Sequence, residues 1–174
     1  MATGKRAENT LYIRECMADA FIELLKEKPD NKITAQDIAE KANTGRATWF
    51  RNFNSREDAI AFRLNRLWDA YLVERGMDRE TIPNDLIGKE FMEFNYGIRD
   101  LLRLLCGRGY RYSLYDAYYK IIHHETDTDT ASSYIARFGA YGMVGILDEW
   151  IQRDFRETPE ELLRLTSELL QPQK

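Results

Sequence analysis

The chain is predicted to be all-α, in two helical parts. Three observations carry this: apolar residues recur at three- and four-residue spacing over long stretches, no segment alternates apolar and polar residues as a strand does, and only four prolines interrupt 174 residues. With 44% hydrophobic residues the chain buries a substantial core.

The elements follow in order. Leu11, Cys16, Met17, Ala20, Phe21, Leu24 and Leu25 keep helical spacing from about Asn9 to Lys28, and Pro29, Asp30 and Asn31 stop that helix. Thr34 is a natural N-cap for a short helix carrying Ile38, Ala39 and Ala42 on one face, because its hydroxyl accepts from the open backbone N–H groups. Asn43 tolerates the left-handed conformation of a sharp turn, and Thr44 is expected to cap a second short helix through Arg46, Thr48, Trp49 and Arg51. From Ser55 a helix of about twenty residues carries Ile60, Leu64, Leu67, Trp68, Tyr71 and Leu72 to about Gly76. The stretch from Met77 to Asp85 is the best linker. One helix is expected from there to Cys106, broken by Gly107 and Gly109, then a Tyr-rich helix from Tyr110 to about His124, a polar loop ETDTDT, and a long helix from Ala131 to Phe155. Thr158-Pro159-Glu160-Glu161 is a capping box with Pro at the first helical position, opening a last helix.

Two short helices joined by a tight turn form a helix-turn-helix, whose second helix can enter the DNA major groove. Charge agrees locally. Lys41, Arg46, Arg51 and Arg56 fall in a segment with no acidic residue, on a chain of net charge −4. Residues 1–56 carry +2 and residues 57–174 carry −6, so a phosphate backbone is attracted to the first part and repelled by the second.

From about Thr10 to Ile60 the chain resembles the tetracycline-repressor (TetR) family of transcriptional regulators. The resemblance rests on a long first helix, then Thr34-x-x-Asp37-Ile38-Ala39-x-x-Ala42, then Thr48-x-Phe50-x-x-Phe53, then Ser55-Arg56-Glu57 opening a fourth helix. Asn43 replaces the usual turn glycine, Phe50 replaces a Tyr whose hydroxyl commonly reaches phosphate, and Asn52 replaces the usual His. The resemblance implies a DNA-binding unit at residues 1–56 and an effector-binding and dimerisation unit at 57–174, acting as a homodimer on a palindromic double-stranded operator. The residues assigned to DNA are Thr34 and Gln36 on the first short helix, then Thr44, Gly45, Arg46 and Thr48 at the start of the second. Phe50, Arg51, Asn52 and Arg56 complete the set, with phosphate clamping shifted from Phe50 to Thr48, Asn52 and Arg56. Trp49 is included, although it and Phe53 fall towards the packing side. A looser resemblance to one TetR subgroup runs through Phe91 to Leu105 and Glu149-Trp150-Ile151. The alternative, favoured by Phe50 and Asn52, is a TetR-like module that binds proteins instead of DNA.

Eight of ten tyrosines lie between Tyr96 and Tyr141. Tyr112, Tyr115 and Tyr119 are expected on one helix face, lining a pocket for a small apolar or aromatic effector with Phe91, Phe94 and Phe138; the competing assignment is core and interface filler. Gly139, Gly142 and Gly145 form a stripe in the long helix, each costing about 1 kcal/mol relative to Ala, which a close helix approach offsets. With Leu162 and Leu165 they are assigned to a dimer interface; room for a neighbour within the chain, or for a ligand, is the competing account. His123, His124, Glu125 and Asp127 are metal-ligand types, but adjacent helical positions point about 100° apart, so a solvated helix end is preferred. No phosphate loop or nucleophile elbow occurs, so no catalytic role, cofactor or metal is assigned. No apolar run reaches membrane-spanning length and no signal-peptide core is present, making the cytoplasm the expected compartment; Cys16 and Cys106 are expected to be reduced core residues.

Overall fold

The computed structural model describes residues 2–122 and 130–170; His123, His124, Glu125, Asp127 and all of the polar loop but its last residue, Thr130, lie outside them. The described residues form helices joined by turns and short loops and contain no strand. Helix α1 (Ala2–Glu27) starts about two turns earlier than the apolar spacing indicates. Ala, Lys, Arg and Glu dominate its first residues, and such helix formers propagate a helix without an apolar face.

After a 3-10 turn at Asp30–Lys32 comes α2 (Ala35–Lys41), capped as expected. The Asp37 N–H donates to Thr34 Oγ1 at 3.1 Å and the Thr34 N–H to Asp37 Oδ2 at 2.7 Å, which closes a capping box. Asn43 takes the left-handed turn at φ 51. The cap of α3 (Arg46–Asn52) differs from expectation. Gly45 occupies the N-cap position, so Thr44 lies one residue too early to reach the open N–H groups, and its hydroxyl is buried without a partner.

Ser55 caps α4 (Arg56–Glu74) by accepting from the Asp58 N–H at 3.1 Å. At the other end Gly76, at φ 69, lets the Met77 N–H return to the Leu72 carbonyl at 2.9 Å. The stretch expected as one helix is two, α5 (Asn84–Gly97) and α6 (Arg99–Gly107), because the backbone turns out of helix at Ile98 directly after Gly97. Helix α7 (Ser113–Ile122) starts after Gly109 at φ 91, which leaves Tyr110 and Tyr112 outside it. Helix α8 (Thr130–Gln152) ends before Phe155, whose φ of 55 sends its ring onto Trp150 at 4.9 Å. Helix α9 (Pro159–Leu170) has its capping box, with the Thr158 N–H donating to Glu161 at 2.8 Å.

Packing follows the apolar faces. α1 lies on α4, α7 sits between α4 and α8, and α9 runs along α5. One apolar cluster joins the parts, from Phe21, Ile38, Trp49 and Phe53 through Ile60, Leu64 and Trp68 to Phe91, Phe94 and Trp150. Within it Tyr118 and Asn95 are fully buried; the Tyr118 hydroxyl donates to Asn95 Oδ1, and Asn95 Nδ2 donates to the Phe91 carbonyl at 2.7 Å. Burial pushes the Tyr118 hydroxyl far above the ordinary phenol range, so it stays a neutral donor.

Tyr118→Phe should cost about 1–3 kcal/mol in chemical denaturation, since it leaves the Asn95 carbonyl buried without its donor. Acid should loosen the start of α2. The Thr34 backbone N–H first, then Lys28, lower the Asp37 carboxyl from 3.8 to about 2. Its stabilising effect is therefore present above pH 4 and lost as pH falls through about 2, and Asp37→Asn should flatten that part of a stability-versus-pH curve.

Candidate nucleic-acid interface

Three of the seven side chains of α3 are drawn inward. Trp49 is buried, edge-on to Phe21 at 6.0 Å and 5.1 Å from Phe53, so it is a core residue and not part of an exposed DNA-facing surface. Asn52 is half-buried and its Nδ2 donates back to the Thr48 carbonyl at 2.7 Å; Thr48 Oγ1 accepts from Arg51 at 3.1 Å. The exposed residues are Arg46, Ala47, Phe50 and Arg51, with the Arg46 guanidinium 5.8 Å from the Phe50 ring centre.

The four cations of the segment are not equivalent. Lys41 pairs with Glu27 of α1 at 2.6 Å, and Arg56 is held by Asp30 Oδ2 at 2.5 Å and by the Asp30 carbonyl at 3.0 Å. Arg56 also donates to the Ile33 carbonyl and lies over the Phe21 ring. It bolts the start of α4 to the turn before α2, so a phosphate-clamp role for Arg56 conflicts with its occupied donors. Arg46 and Arg51 have no carboxylate partner among the described residues. Thr34 is committed to its capping box and Gln36 pairs with Glu40 at 2.7 Å, both on the exposed side of α2. Gly45 is exposed ahead of α3, whereas Thr44 is half-buried.

One contact was invisible in the sequence. The Tyr110 hydroxyl, from the turn before α7, donates to Asp30 Oδ1, and its ring meets Phe21 edge-on at 6.0 Å. Burial first, then the Asp30 carboxylate, push that hydroxyl well above its ordinary range. The second part of the chain is thereby tied to the turn that opens the helix-turn-helix.

The six residues assigned to an effector do not converge on one chamber, although Tyr115 and Tyr119 stack at 6.1 Å. Phe91 and Phe94 are packed in the core, Phe91 at 4.9 Å from Tyr118 and Phe94 at 5.3 Å from Trp68, so they fill space and do not line it. Tyr112 is 88% exposed because α7 begins after it, and Phe138 is 77% exposed on α8. Tyr115 and Tyr119 form a half-buried surface ladder with Tyr141, 4.1 Å from Tyr115, which Arg137 closes by donating to the Tyr115 hydroxyl at 2.9 Å. The glycine stripe faces outward. Among the described residues a Cβ at Gly142 or Gly145 would meet nothing within 4 Å, so no close neighbour accounts for those two glycines, while Gly139 is half-buried. With Leu162, Leu165, Ile146 and Trp150, Gly142 and Gly145 border an open groove between α8 and α9. No helix among the described residues is long and apolar enough to cross a membrane.

Residues 108–172 match the family model of a TetR-type transcriptional regulator C-terminal region. The crystal structure of Lin0861 from Listeria innocua is similar in fold, with a TM-score of 0.63 and 15% identity over 94% of this chain and 91% of that one. No curated protein matches the chain. An all-α body with a capped helix-turn-helix at one end and this match at the other define a transcriptional regulator. The match covers a little over a third of the chain and is to the C-terminal region of TetR-type regulators.

The bolt and the free cations should separate in thermal melts. Arg56→Ala should lose about 2 kcal/mol of stability, the scale of hydrogen bonds to a charged group, whereas Arg46→Ala and Arg51→Ala should melt with the parent protein.

Proposed function

We propose that this protein regulates transcription in the cytoplasm as a homodimer that binds a palindromic DNA operator through α3. The observation that carries this is the face of α3. Two guanidiniums stand exposed without carboxylate partners on a helix whose other side is locked into the core by Trp49. Two such helices must meet successive major-groove faces about 34–36 Å apart, which one chain cannot supply.

The surface proposed for dimerisation is the outer side of α8 with α9. Tyr134, Ile135, Phe138 and Tyr141 are exposed there, continuing into Gly142 and Gly145 and across to Leu165. A contiguous apolar face of this kind is rare on a monomer and is what a self-complementary partner covers. Control by a small apolar or aromatic effector belongs to the same proposal. It acts through unequal affinity for two spacings of the recognition helices, and the packed rings of Phe91 and Phe94 require it to enter elsewhere than the six-residue chamber.

Selection of binding sites from random duplex DNA tests the operator. Arg46→Ala should weaken binding to the selected palindrome by about 1–3 kcal/mol, as for loss of a guanidinium reading a base edge. Sedimentation tests the assembly: Gly142→Leu should remain folded, since a Cβ there has open space around it and the open groove beside it takes the rest of the side chain, and should shift towards monomer. A parent protein that is monomeric at micromolar concentration would exclude the dimer.

A further inference from the structure

We infer that Phe50, with the Ala47 methyl beside it, reads the C5-methyl groups of thymines in the operator and so sets part of its sequence. The inference rests on the operator reading above and adds what that operator must contain.

At about 100° per residue, Arg46, Phe50, Ala47 and Arg51 follow one another across about 140° of the surface of α3. All four are exposed, and Phe50 has 61% of its surface in water. The face is an apolar pair flanked by two guanidiniums. The remaining polar side chains of α3, Thr48 and Asn52, already have partners on their own helix: Asn52 donates to the Thr48 carbonyl, and the Thr48 hydroxyl accepts from Arg51. Phe50 has no hydroxyl with which to bind phosphate, so its gain on binding comes from removing its ring from water. In the major groove the apolar group available to such a ring is the thymine methyl, and Phe and Ala are both side chains that contact it. A protein surface could also cover a phenyl ring. The absence of any carboxylate between Lys41 and Arg56 favours a polyanion as the occupant.

The Arg46 guanidinium over the ring adds register. A cation at the edge of an apolar contact places an acceptor-rich base, guanine O6 and N7, next to the thymine being read.

The test uses the full chain and a duplex enriched from a random-sequence library. Deoxyuridine, which lacks the methyl, then replaces thymidine one position at a time, and affinities are measured by fluorescence anisotropy at fixed salt. At one position in each half-site the swap should weaken the parent protein about fourfold, the scale of one buried methyl, and about fifteenfold when both half-sites are changed. Phe50→Ala should show the same loss on the thymidine duplex and no further loss on the deoxyuridine duplex, while Phe50→Tyr, which keeps the ring, should retain the methyl dependence. Phe50 is exposed, so both variants should melt with the parent. Unchanged affinity with deoxyuridine at every thymine, or equal losses for Phe50→Ala on both duplexes, overturns the thymine assignment and leaves the operator reading intact. If no duplex is enriched, the operator reading falls and this inference falls with it.

Discussion

The carboxylate of Asp30 sits where three parts of the chain converge, and the placement of the helix-turn-helix depends on it. One oxygen takes the Arg56 guanidinium at the first residue of α4, the other takes the Tyr110 hydroxyl from the turn before α7, and the Asp30 backbone opens the route to α2. Phe21 lies beneath the node and touches both partners through its ring. Asp30 and Arg56 each keep 31% of their side-chain surface exposed, so the node acts less through its energy than through the geometry its shared oxygens impose on all three segments. The head therefore has one preferred orientation on α4, and α7 cannot shift along α4 without drawing Tyr110 away from Asp30.

Local chemistry was readable residue by residue. Thr34, Ser55 and Thr158 cap helices because a hydroxyl and a backbone N–H three residues on are fixed neighbours by chain geometry, whatever the rest of the fold does. Asn43 was readable for the same reason, since the left-handed turn is a property of one residue. Thr44 failed because a shift of one residue in a helix start moves the hydroxyl out of reach, and Gly45 supplies the extended conformation equally well. Arg56 is a different case, because its donors are already engaged within the chain. Its partners lie twenty-six residues away in sequence, and nothing local distinguishes a cation that bolts two helices from one that waits for phosphate. The operator and dimer assignments rest on charge, which a sequence shows directly, and on exposure, which it shows only through its periodicity.

The aromatic residues show the same limit at a larger scale. Helical phase correctly groups Tyr115 with Tyr119, but it says nothing about which neighbour covers them, and it grouped Tyr112 only because the helix was started too early. Between α4, α5 and α7, Trp68, Phe91, Phe94 and Tyr118 meet mostly edge to face, an arrangement that fills volume and contributes about 0.5–1.5 kcal/mol per pair beyond area burial. The outer side of α8 has the opposite composition for its exposure, with four large apolar side chains in water beside two bare glycines. Interior closed, exterior unfinished: this distribution places the incomplete part of the molecule on its surface.

The pairing of Lys41 with Glu27 and of Arg56 with Asp30 has an ionic consequence. Two of the four cations around α3 already have protein counterions, so seating a duplex on it displaces few condensed ions from the DNA. In the proposed dimer, with Arg46 at a base edge and Arg51 left for phosphate, the two α3 helices would give a slope of affinity against salt of about −2 on logarithmic axes, shallow beside regulators with six to ten phosphate contacts. Occupancy of a site would be governed by what the base edges offer, and it would vary little as the ionic strength of the cell rises and falls.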